Sequence, residues 1–338
     1  MQDFKSLNLT EIEQIVADFG EKKYRAKQAY LWARKGIENY DEMSNIPQDL
    51  RAHFAKSYKI VTFNLQKRLA SEHDFVVKYL CMLYDGEQVE SVLMKYKHGY
   101  SLCVSTQVGC KMGCKFCVSS QCGFVRNLTA GEIEGQIHMA EKDSGVKISN
   151  VVFMGIGEPL DNFANTIRAV ELIQDPHGLN ISPRKISIST CGLVDKIYDL
   201  LDVSPKFTLS ISLHAADDET RQKIMPIANK WSVDELLKAC YDYQTATNRR
   251  ISYEYVLIDD VNTSDEHALN LAKKLKNHRG HVNLIRVNKG RENINRPNSD
   301  TALRFRDILM KSGINVTIRR TLGADIDAAC GQLRNKNM

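Results

Sequence analysis

The sequence lacks the features of a membrane or secreted protein. No stretch approaches the roughly 18 consecutive apolar residues that a bilayer-spanning helix needs. The first residues, MQDFKSLNLTEIEQ, contain no basic segment followed by an apolar run, which is the order found in a secretory signal. We therefore expect a cytoplasmic protein with no membrane partner.

Strong charge and an even set of cysteines are also missing. The formal net charge of the 338 residues is only +5, a mild bias that is compatible with an RNA partner without establishing one. An odd number of cysteines and no secretory signal argue against a disulfide framework. Metal or thiol chemistry is the better expectation for those that cluster. The nine cysteines are Cys81, Cys103, Cys110, Cys114, Cys117, Cys122, Cys191, Cys240 and Cys330.

Apolar periodicity divides the chain near residue 75. Residues 9–16 and 24–32 carry apolar side chains three or four positions apart, which indicates amphipathic helices. Strand-like composition begins only with Phe75-Val76-Val77. We predict an N-terminal helical accessory domain over residues 1–75 and a catalytic domain over residues 76–338.

From residue 75 onward, strand candidates rich in β-branched residues alternate with helix signals. Capping-box patterns that begin at Thr129, Ser232 and Thr263 open three of these helices. Such alternation predicts a parallel sheet, either open or curled into a barrel. The candidate strands are 75–83, 89–95, 101–106, 150–154, 185–190, 207–213, 250–258, 281–287 and 315–320.

Three cysteines follow the strand candidate 101–106 in the segment Cys110-Lys-Met-Gly-Cys114-Lys-Phe-Cys117. The active sites of α/β barrels lie at the carboxyl ends of their strands. Thiolates hold iron–sulfur clusters, and three of them on a four-iron cluster leave one iron open for a small molecule. Zinc is the competing interpretation, although structural zinc sites normally have four ligands. Spacing alone leaves open a fourth ligand from Cys122 or Cys330, or three unligated thiols.

Glycine and polar residues follow the later strands at the same edge. Gly155-Ile156-Gly157-Glu158 comes directly after the strand candidate 150–154. Such a turn lets the backbone approach a ligand, and the carboxylate accepts hydrogen bonds from an ammonium group. Taken singly, the remaining residues also fit ordinary strand-end hydrogen bonding, which is the favoured interpretation for a lone histidine. They are Ser189, Ser212, Leu213, His214 and Asn288.

Cys330 lies near the C-terminus in the small-residue segment Ala328-Ala329-Cys330-Gly331. An exposed thiol in such a segment is a candidate nucleophile. A single cysteine is more often a small apolar filler. From the residues alone we favour the filler.

The CxxxCxxC spacing with an aromatic residue, Phe116, before the last cysteine is the pattern of the radical S-adenosylmethionine (SAM) superfamily. The whole chain resembles the RlmN family of radical adenine-C2 RNA methyltransferases, which are close relatives of the Cfr resistance methyltransferases. The resemblance implies an α/β fold, namely an incomplete (β/α)6 radical SAM barrel preceded by a small helical domain. The segments that carry it are VESVLM, LCVSTQVGCKMGCKFC, VVFMGIGEPLDN, ISISTCG, FTLSISLHA, VNLIRVN and GADIDAACGQLR.

The resemblance also implies a role for each site residue. Cys330 corresponds to the S-methylated cysteine, Cys103 to the second catalytic cysteine and Glu90 to the proton acceptor. The ligands of a [4Fe-4S] cluster would be Cys110, Cys114 and Cys117. The residues that bind SAM would be Gly157, Glu158, Ser189, Ser212, Leu213, His214 and Asn288.

The implied reaction consumes two SAM molecules per turnover. One methylates Cys330, and the second yields a radical that takes hydrogen from that methyl group, so that its carbon adds to the adenine. Glu90 or Cys103 removes the C2 proton, and Cys103 then attacks the sulfur of Cys330, which releases methylated RNA and forms a disulfide. The disulfide must be reduced, and a flavodoxin- or ferredoxin-like donor must reduce the cluster.

The resemblance implies that the protein acts on an adenosine of 23S rRNA and of tRNA. We expect a monomer. Arg286 stands where the C2 pattern has proline, a departure that also occurs in the Cfr type, so C8 methylation remains an alternative. A non-catalytic zinc RNA-binding protein is a remote one. Attack on a base in folded RNA requires that the base be unstacked. The candidate phosphate contacts, each explained equally well as a solvated surface, are the loop 286–296, Arg319-Arg320, Lys22-Lys23 and Arg25.

Overall fold

The computed structural model describes residues 1–203, 206–288 and 294–333, apart from the side chain of Cys122. The α-helices are α1 (Leu9–Asp18), α2 (Lys23–Arg34), α3 (Gln48–Ser57), α4 (Ala130–Ser144), α5 (Phe163–Gln174), α6 (Val194–Asp202), α7 (Asp218–Ile224), α8 (Val233–Thr247), α9 (Asp265–Leu275) and α10 (Ser299–Lys311). The strands are β1 (Gln2–Asp3), β2 (Tyr58–Lys59), β3 (Asn64–Ala70), β4 (Val76–Met82), β5 (Gln88–Tyr96), β6 (Gly99–Cys103), β7 (Gln107–Gly109), β8 (Phe124–Asn127), β9 (Ile148–Phe153), β10 (Ile186–Thr190), β11 (Thr208–Ser212), β12 (Ile251–Leu257), β13 (Gly280–Arg286) and β14 (Val316–Ile318).

Ten strands form one sheet in the order β14-β13-β12-β11-β10-β9-β6-β5-β4-β3. Strands β6 and β9 to β14 are parallel, and at least one helix connects each of them to the next. Strands β3 to β6 are antiparallel. In the described ranges the edge strands β3 and β14 do not pair with each other. The sheet is therefore an incomplete (β/α)6 barrel, as predicted, with β14 as an additional edge strand.

The main hydrophobic core lies between the parallel strands and the helices that cover them. Strands of this kind are buried on both faces and are rich in branched apolar residues, and burial of each such side chain contributes about 1.5–3 kcal/mol. Polar side chains are concentrated where the strands leave the core at their carboxyl ends. Core residues from successive strands are Leu102, Val151, Ile188, Ile211, Tyr255 and Leu284.

The helix starts agree with two of the three predicted capping boxes. Thr129 and Ser232 each cap a helix reciprocally with the glutamate three residues later. The capping box predicted at Thr263 is wrong, because α9 begins after Ser264, whose side chain accepts the N–H of His267. Two adjacent hydroxyl residues satisfied the same sequence pattern, and spacing alone did not distinguish them.

Helices α1 to α3 have a hydrophobic core of their own, built around Phe4, Ile12 and Phe54. This N-terminal unit is attached to the barrel by polar contacts. The buried guanidinium of Arg34 on α2 lies 2.8 Å from the Glu134 carboxylate on α4. Because neither charge has much access to water, removal of one partner would leave the other buried and uncompensated.

Strand β3 lies inside the region 1–75, which the sequence predicts to be helical. It pairs with β4 and forms one edge of the large sheet. Six of its seven residues are exposed, so the strand has no buried face that would produce an alternating apolar pattern. The helical prediction is wrong for this segment, while the division into domains at residue 75 stays a prediction.

Candidate active site

A cavity at the carboxyl ends of the parallel strands contains most of the predicted site residues. We call it the thiol cavity. Its empty volume is about 890 Å³, including the space at its mouth, which is within the range of small-molecule sites. Its wall contains nine predicted residues, namely Cys110, Cys114, Cys117, Gly157, Glu158, Ser189, Ser212, His214 and Cys330.

The cysteine triplet lies on a loop between β7 and a short 3-10 helix, Val118–Cys122. The N–H of Cys110 donates to the carbonyl of Gly123 at 2.7 Å. The hydroxyl of Ser120 lies 3.0 Å from the carbonyl of Cys114 and 2.8 Å from that of Cys117. These contacts fix the backbone at the start of the loop, at Cys110, and at its end, at Cys114 and Cys117.

Burial and mutual repulsion set the chemistry of the triplet. Burial raises the pKa of Cys110 to about 11. Burial also raises the pKa of Cys114, with further increases from Cys117 and Cys110, so the three sulfurs are electrostatic neighbours. Iron compensates such closely spaced thiolates. In the part of the chain that is described, no group of three or more His, Cys, Asp or Glu side chains is placed so that it could hold one metal ion.

The glycine turn after β9 is required by close packing. A Cβ atom at Gly155 would lie 2.6 Å from the carbonyl oxygen of Val104. Gly157 has a φ of +105°, and a Cβ there would lie 2.6 Å from Gln107. Only glycine fits both positions without displacing strand-end backbone, and the turn brings Glu158 to the cavity wall.

Glu158 is a buried carboxylate that the backbone holds in place. Its Oε2 accepts the N–H of Cys191 at 2.7 Å, and its Oε1 accepts the N–H of Leu160 at 3.0 Å. Burial raises the pKa of Glu158, and these two backbone hydrogen bonds oppose the increase. The group is a preoriented acceptor for a cationic ligand group such as an ammonium.

His214 follows β11 with a positive φ of 61°, and its ring meets Phe116 of the cluster loop edge to face at 4.8 Å. Burial lowers the pKa of His214 to about 3, with a smaller effect from Arg221. The ring is therefore neutral. The N–H of Val256 donates to Nδ1 at 3.0 Å, which assigns the ring proton to Nε2.

The other residues predicted to bind SAM differ in position. Ser189 and Ser212 are adjacent, with 3.5 Å between their hydroxyl oxygens. The side chain of Leu213 lies in the core, and this residue is not part of the wall of the thiol cavity. Asn288 donates from Nδ2 to the carbonyl of Cys330 at 3.0 Å, so it positions the C-terminal segment.

Cys330 lies between the thiol cavity and a second, smaller cavity. We call the latter the C-terminal cavity; its empty volume is about 380 Å³, and Tyr96, Asn288 and Arg320 are in its wall. The cysteine is part of both walls. The C-terminal segment is bound to the cluster loop region by a hydrogen bond from the N–H of Val118 to the carbonyl of Gly331 at 2.8 Å. The filler interpretation of Cys330 therefore does not describe its surroundings.

Cys103 ends β6 and is buried beside the C-terminal segment. Burial raises its pKa to about 12, Cys330 adds to the increase, and Arg319 opposes it. The two thiols thus share one electrostatic environment, although neither lies near the other in sequence. Within the described residues all cysteines are free thiols.

Arg319 was a candidate phosphate contact, and the structure places it at the boundary between the two cavities. It is half-buried and is part of the walls of both cavities. Its pKa is raised, chiefly by Cys330 and also by Glu254, Tyr96 and Cys103. No local pattern indicated this placement, although Glu254, a carboxylate in the middle of the buried strand β12, was a detectable anomaly.

Glu90 is not part of the wall of either cavity. It is buried in β5, and its carboxylate lies 3.3 Å from the ammonium of Lys78. Lys78 in turn donates to the carbonyl of Asp327 at 3.1 Å, which connects this ion pair to the segment that carries Cys330. The predicted role of Glu90 as proton acceptor stays a prediction.

The remaining basic candidates are not part of the wall of the thiol cavity. Lys23 is exposed and forms an ion pair with Glu13 at 3.2 Å, and Arg25 donates to the carbonyl of Asn45. Arg286 donates to Ser299 at 2.9 Å. The part of the basic loop over 289–293 lies outside the described residues. Among the described helices, none combines the length and apolar character needed to cross a bilayer.

Comparisons with known proteins agree with this architecture. Residues 104–272 match the family model of the radical SAM superfamily, and residues 2–60 match that of the ribosomal RNA large subunit methyltransferase N-terminal domain. A radical SAM methyltransferase from Sphaerobacter thermophilus has a similar crystal structure, with a TM-score of 0.92 and 38% identity over 98% of this chain and 99% of that chain.

Two curated relatives are similar over nearly the full length. The probable dual-specificity RNA methyltransferases RlmN of Alkaliphilus metalliredigens and Clostridium acetobutylicum are each 47% identical to this chain over 99% of its length. The matches cover 95% and 97% of those proteins, respectively.

The barrel, the cysteine triplet and the glycine turn beside it define a radical SAM enzyme. Such an enzyme uses a [4Fe-4S] cluster and SAM, and the cavity fits both, since it offers three thiols for iron and a preoriented carboxylate for an ammonium group. The chain belongs to the RlmN family of radical SAM RNA methyltransferases.

Proposed function

We propose that the protein methylates C2 of an adenosine in 23S rRNA and of an adenosine in tRNA, with Cys330 as the carrier of the transferred carbon. The observation that carries the proposal is the position of Cys330 between the two cavities. A carrier must meet the methyl donor on one side and the base on the other. The relatives are named dual-specificity RNA methyltransferases, which supports two RNA substrates.

The thiol cavity is the proposed cofactor site. Cys110, Cys114 and Cys117 would hold the cluster, and Glu158 would accept from the amino group of SAM. When bound, these cofactors supply a methyl group and one-electron chemistry, which an unactivated C–H position such as C2 requires. The protein contributes orientation and a largely apolar wall, which limits the access of water to the cofactors.

Cys103 is proposed to release the product. Attack of its sulfur on the sulfur of Cys330 forms an S–S bond and breaks the bond to the transferred carbon, which keeps the electron pair and takes up a proton. Arg319 opposes the increase in the pKa of Cys103 that burial causes, and so favours the nucleophilic thiolate. An external thiol must then reduce the disulfide. Glu90 or Cys103 would accept the C2 proton.

The experiment is methylation by the cluster-loaded protein of a 23S rRNA fragment and of tRNA, followed by mass spectrometry of the nucleosides. We expect 2-methyladenosine in both RNAs. Cys330→Ala should give none, while Cys240→Ala, a matched thiol removal in α8, should retain activity.

A product methylated only at C8 would contradict the proposal and favour the Cfr type, to which Arg286 points. A colourless, zinc-loaded protein that binds RNA without methylating it would overturn catalysis altogether. We further propose a monomer in the cytoplasm that takes electrons from a flavodoxin- or ferredoxin-like protein.

A further inference from the structure

Two buried arginines differ in how their charge is balanced. Among the described residues, the largest fully buried side chains are those of Arg34 and Arg221. Arg34 lies 2.8 Å from the carboxylate of Glu134. None of the ion pairs found in the described ranges includes Arg221. Because a guanidinium stays protonated and a buried charge without an anion is costly, Arg221 requires a negative partner of another kind.

The hydrogen bonds of Arg221, which lies in α7, go only to neutral groups. Its Nε donates to the carbonyl of Leu213 at 3.0 Å, and its Nη2 donates to the carbonyls of Cys191 at 2.6 Å and of Ser212 at 3.3 Å. Its Nη1 is buried and has no hydrogen-bond partner within the described ranges. The carbonyls at the ends of β10 and β11 therefore orient the guanidinium without neutralising it.

Arg221 lies directly behind the wall of the thiol cavity. Cys191, to which it donates, and Met225, one helical turn further on, are both part of that wall, whereas Arg221 is not. Cys191 and Met225 belong to the hydrophobic cluster against which Cys114 packs. The N–H of Lys115 donates at 2.9 Å to the carbonyl of the last residue of α7. The cluster loop is thus fixed to the helix that carries Arg221.

The sulfurs beside Arg221 are its strongest anionic partners. Burial lowers the pKa of Arg221, and Cys191 and Cys114 oppose this decrease more strongly than Asp218 does. Burial in turn raises the pKa of Cys114, and Arg221 opposes that increase. A thiol that binds a metal ion loses its proton. The anion that balances Arg221 therefore forms when Cys114 binds iron.

We propose that Arg221 is the counter-cation of the iron–sulfur cluster, which it stabilises in the folded protein and makes easier to reduce. The inference rests on the assignment of the cluster to the cysteine triplet. The iron–sulfur core compensates only part of the charge of three thiolates, and an added electron makes the cluster more negative. A buried cation nearby stabilises the reduced form more than the oxidised form, since the protein interior screens charges weakly. Arg221 is not a catalytic residue, because it acts only through its charge.

The first test measures the reduction potential of the cluster in the full-length protein. An anaerobic titration with dithionite is followed by the electron paramagnetic resonance signal of the reduced cluster, without RNA. Arg221→Met removes the charge, and we expect the equilibrium constant for reduction to fall about tenfold, which lowers the potential of a one-electron couple by about 59 mV. Arg221→Lys keeps the charge but not the fork of donors, so its potential should stay near that of the unaltered protein.

Two results of the titration would overturn the proposal. An unchanged potential in Arg221→Met would show that the charge does not act on the cluster. Equal decreases in Arg221→Met and Arg221→Lys would show that only the hydrogen bonds matter. If Arg221→Met binds too little cluster for a titration, the iron content decides instead. Arg221→Lys should then restore loading, and equally poor loading in both variants would reject the counter-cation.

The second test compares thermal unfolding of the cluster-loaded and cluster-free forms. Arg221→Met should lower the unfolding temperature of the loaded form more than that of the cluster-free form, because in the latter the buried charge has no full counter-charge and is itself costly. A decrease in the cluster-free form that equals or exceeds that in the loaded form would overturn the proposal. Arg221 would then only support the backbone at the ends of β10 and β11.

The matched control is Arg34→Met, which removes the other fully buried guanidinium, the partner of Glu134. It should destabilise the loaded and cluster-free forms equally and leave the reduction potential unchanged. A shift in potential as large as that of Arg221→Met would reject the proposal, because loosening of the fold would then explain both. Since no RNA is used, a failure of the methylation proposal does not affect these results.

Discussion

The thiols of the active site fall into two sets that are assembled differently. Cys110, Cys114 and Cys117 come from one short loop after β7. Cys103 and Cys330 come from the end of β6 and from the C-terminal segment, which meet only in the folded protein. The first set is therefore a local property of the chain, and the second depends on how the sheet and its last segment pack.

The two sets also differ in their electrostatic surroundings. In the triplet, burial and the neighbouring thiols raise the pKa values of Cys110 and Cys114, and bound iron would supply the compensating charge. The pair has a cation of the protein itself, Arg319, which opposes the increase in the pKa of Cys103. We infer that one set is built to hold metal and the other to carry out thiol chemistry.

The largest effect is expected when one thiol is removed from each set. Cys114→Ala should abolish both the cluster and methylation, because one ligand is missing. Cys330→Ala should retain the visible absorbance of the cluster while methylation falls about a thousandfold or more. Both quantities are measured on the same anaerobic preparations. Loss of the cluster in Cys330→Ala would show that Cys330 is a fourth ligand and that the two sets are one.

The next effect concerns the carboxylate that faces the cofactor. Glu158→Gln removes a charge-assisted acceptor, which is worth about 1.5–3 kcal/mol, so SAM should bind roughly ten- to a hundredfold more weakly. Burial raises the pKa of Glu158, and a protonated carboxyl no longer attracts the ammonium group. Binding of SAM to the unaltered protein should therefore weaken as the pH falls toward the pKa of Glu158. Equilibrium dialysis of SAM across pH measures both effects, and cluster content should stay constant.

Arg319 tests whether the thiol pair depends on a protein cation. The guanidinium favours the thiolate of Cys103, so Arg319→Met should raise the pKa of that thiol further. At a pH below the pKa, the variant then has less Cys103 thiolate than the unaltered protein, about tenfold less if the pKa rises by 1.

The Arg319→Met variant should therefore accumulate the covalent protein–RNA adduct, which a denaturing gel detects. Higher pH and the conservative Arg319→Lys should both restore release. An adduct level that does not respond to pH would argue against an electrostatic role for Arg319.

The smallest effect compares, for each set, one side chain that hydrogen-bonds to the backbone of the cysteines. Asn288→Ala removes the bond to the carbonyl of Cys330, and Ser120→Ala removes those to the carbonyls of Cys114 and Cys117. Each loss costs about 1 kcal/mol. We expect Asn288→Ala to reduce methylation a few-fold with a stable cluster, and Ser120→Ala to make the cluster more sensitive to oxygen. Reversed outcomes would contradict the division.

Local patterns predicted the parts of the fold that depend on neighbouring residues. The alternation of strands and helices indicated the parallel sheet, and the patterns at Thr129 and Ser232 marked the starts of α4 and α8. Strand β3 was missed because both of its faces are exposed at the sheet edge. The start of α9 was misplaced because two adjacent hydroxyl residues compete for the cap.

By itself, the sequence determined the cluster loop and the glycine turn, because their chemistry depends on spacing within a few residues and on the backbone freedom of glycine. Tertiary structure alone decided that Cys103 meets the C-terminal segment and that Arg319 faces both thiols instead of solvent. The order of the strands and the path of the last segment across the barrel set those contacts. No local pattern encodes them, since they join residues that are far apart along the chain.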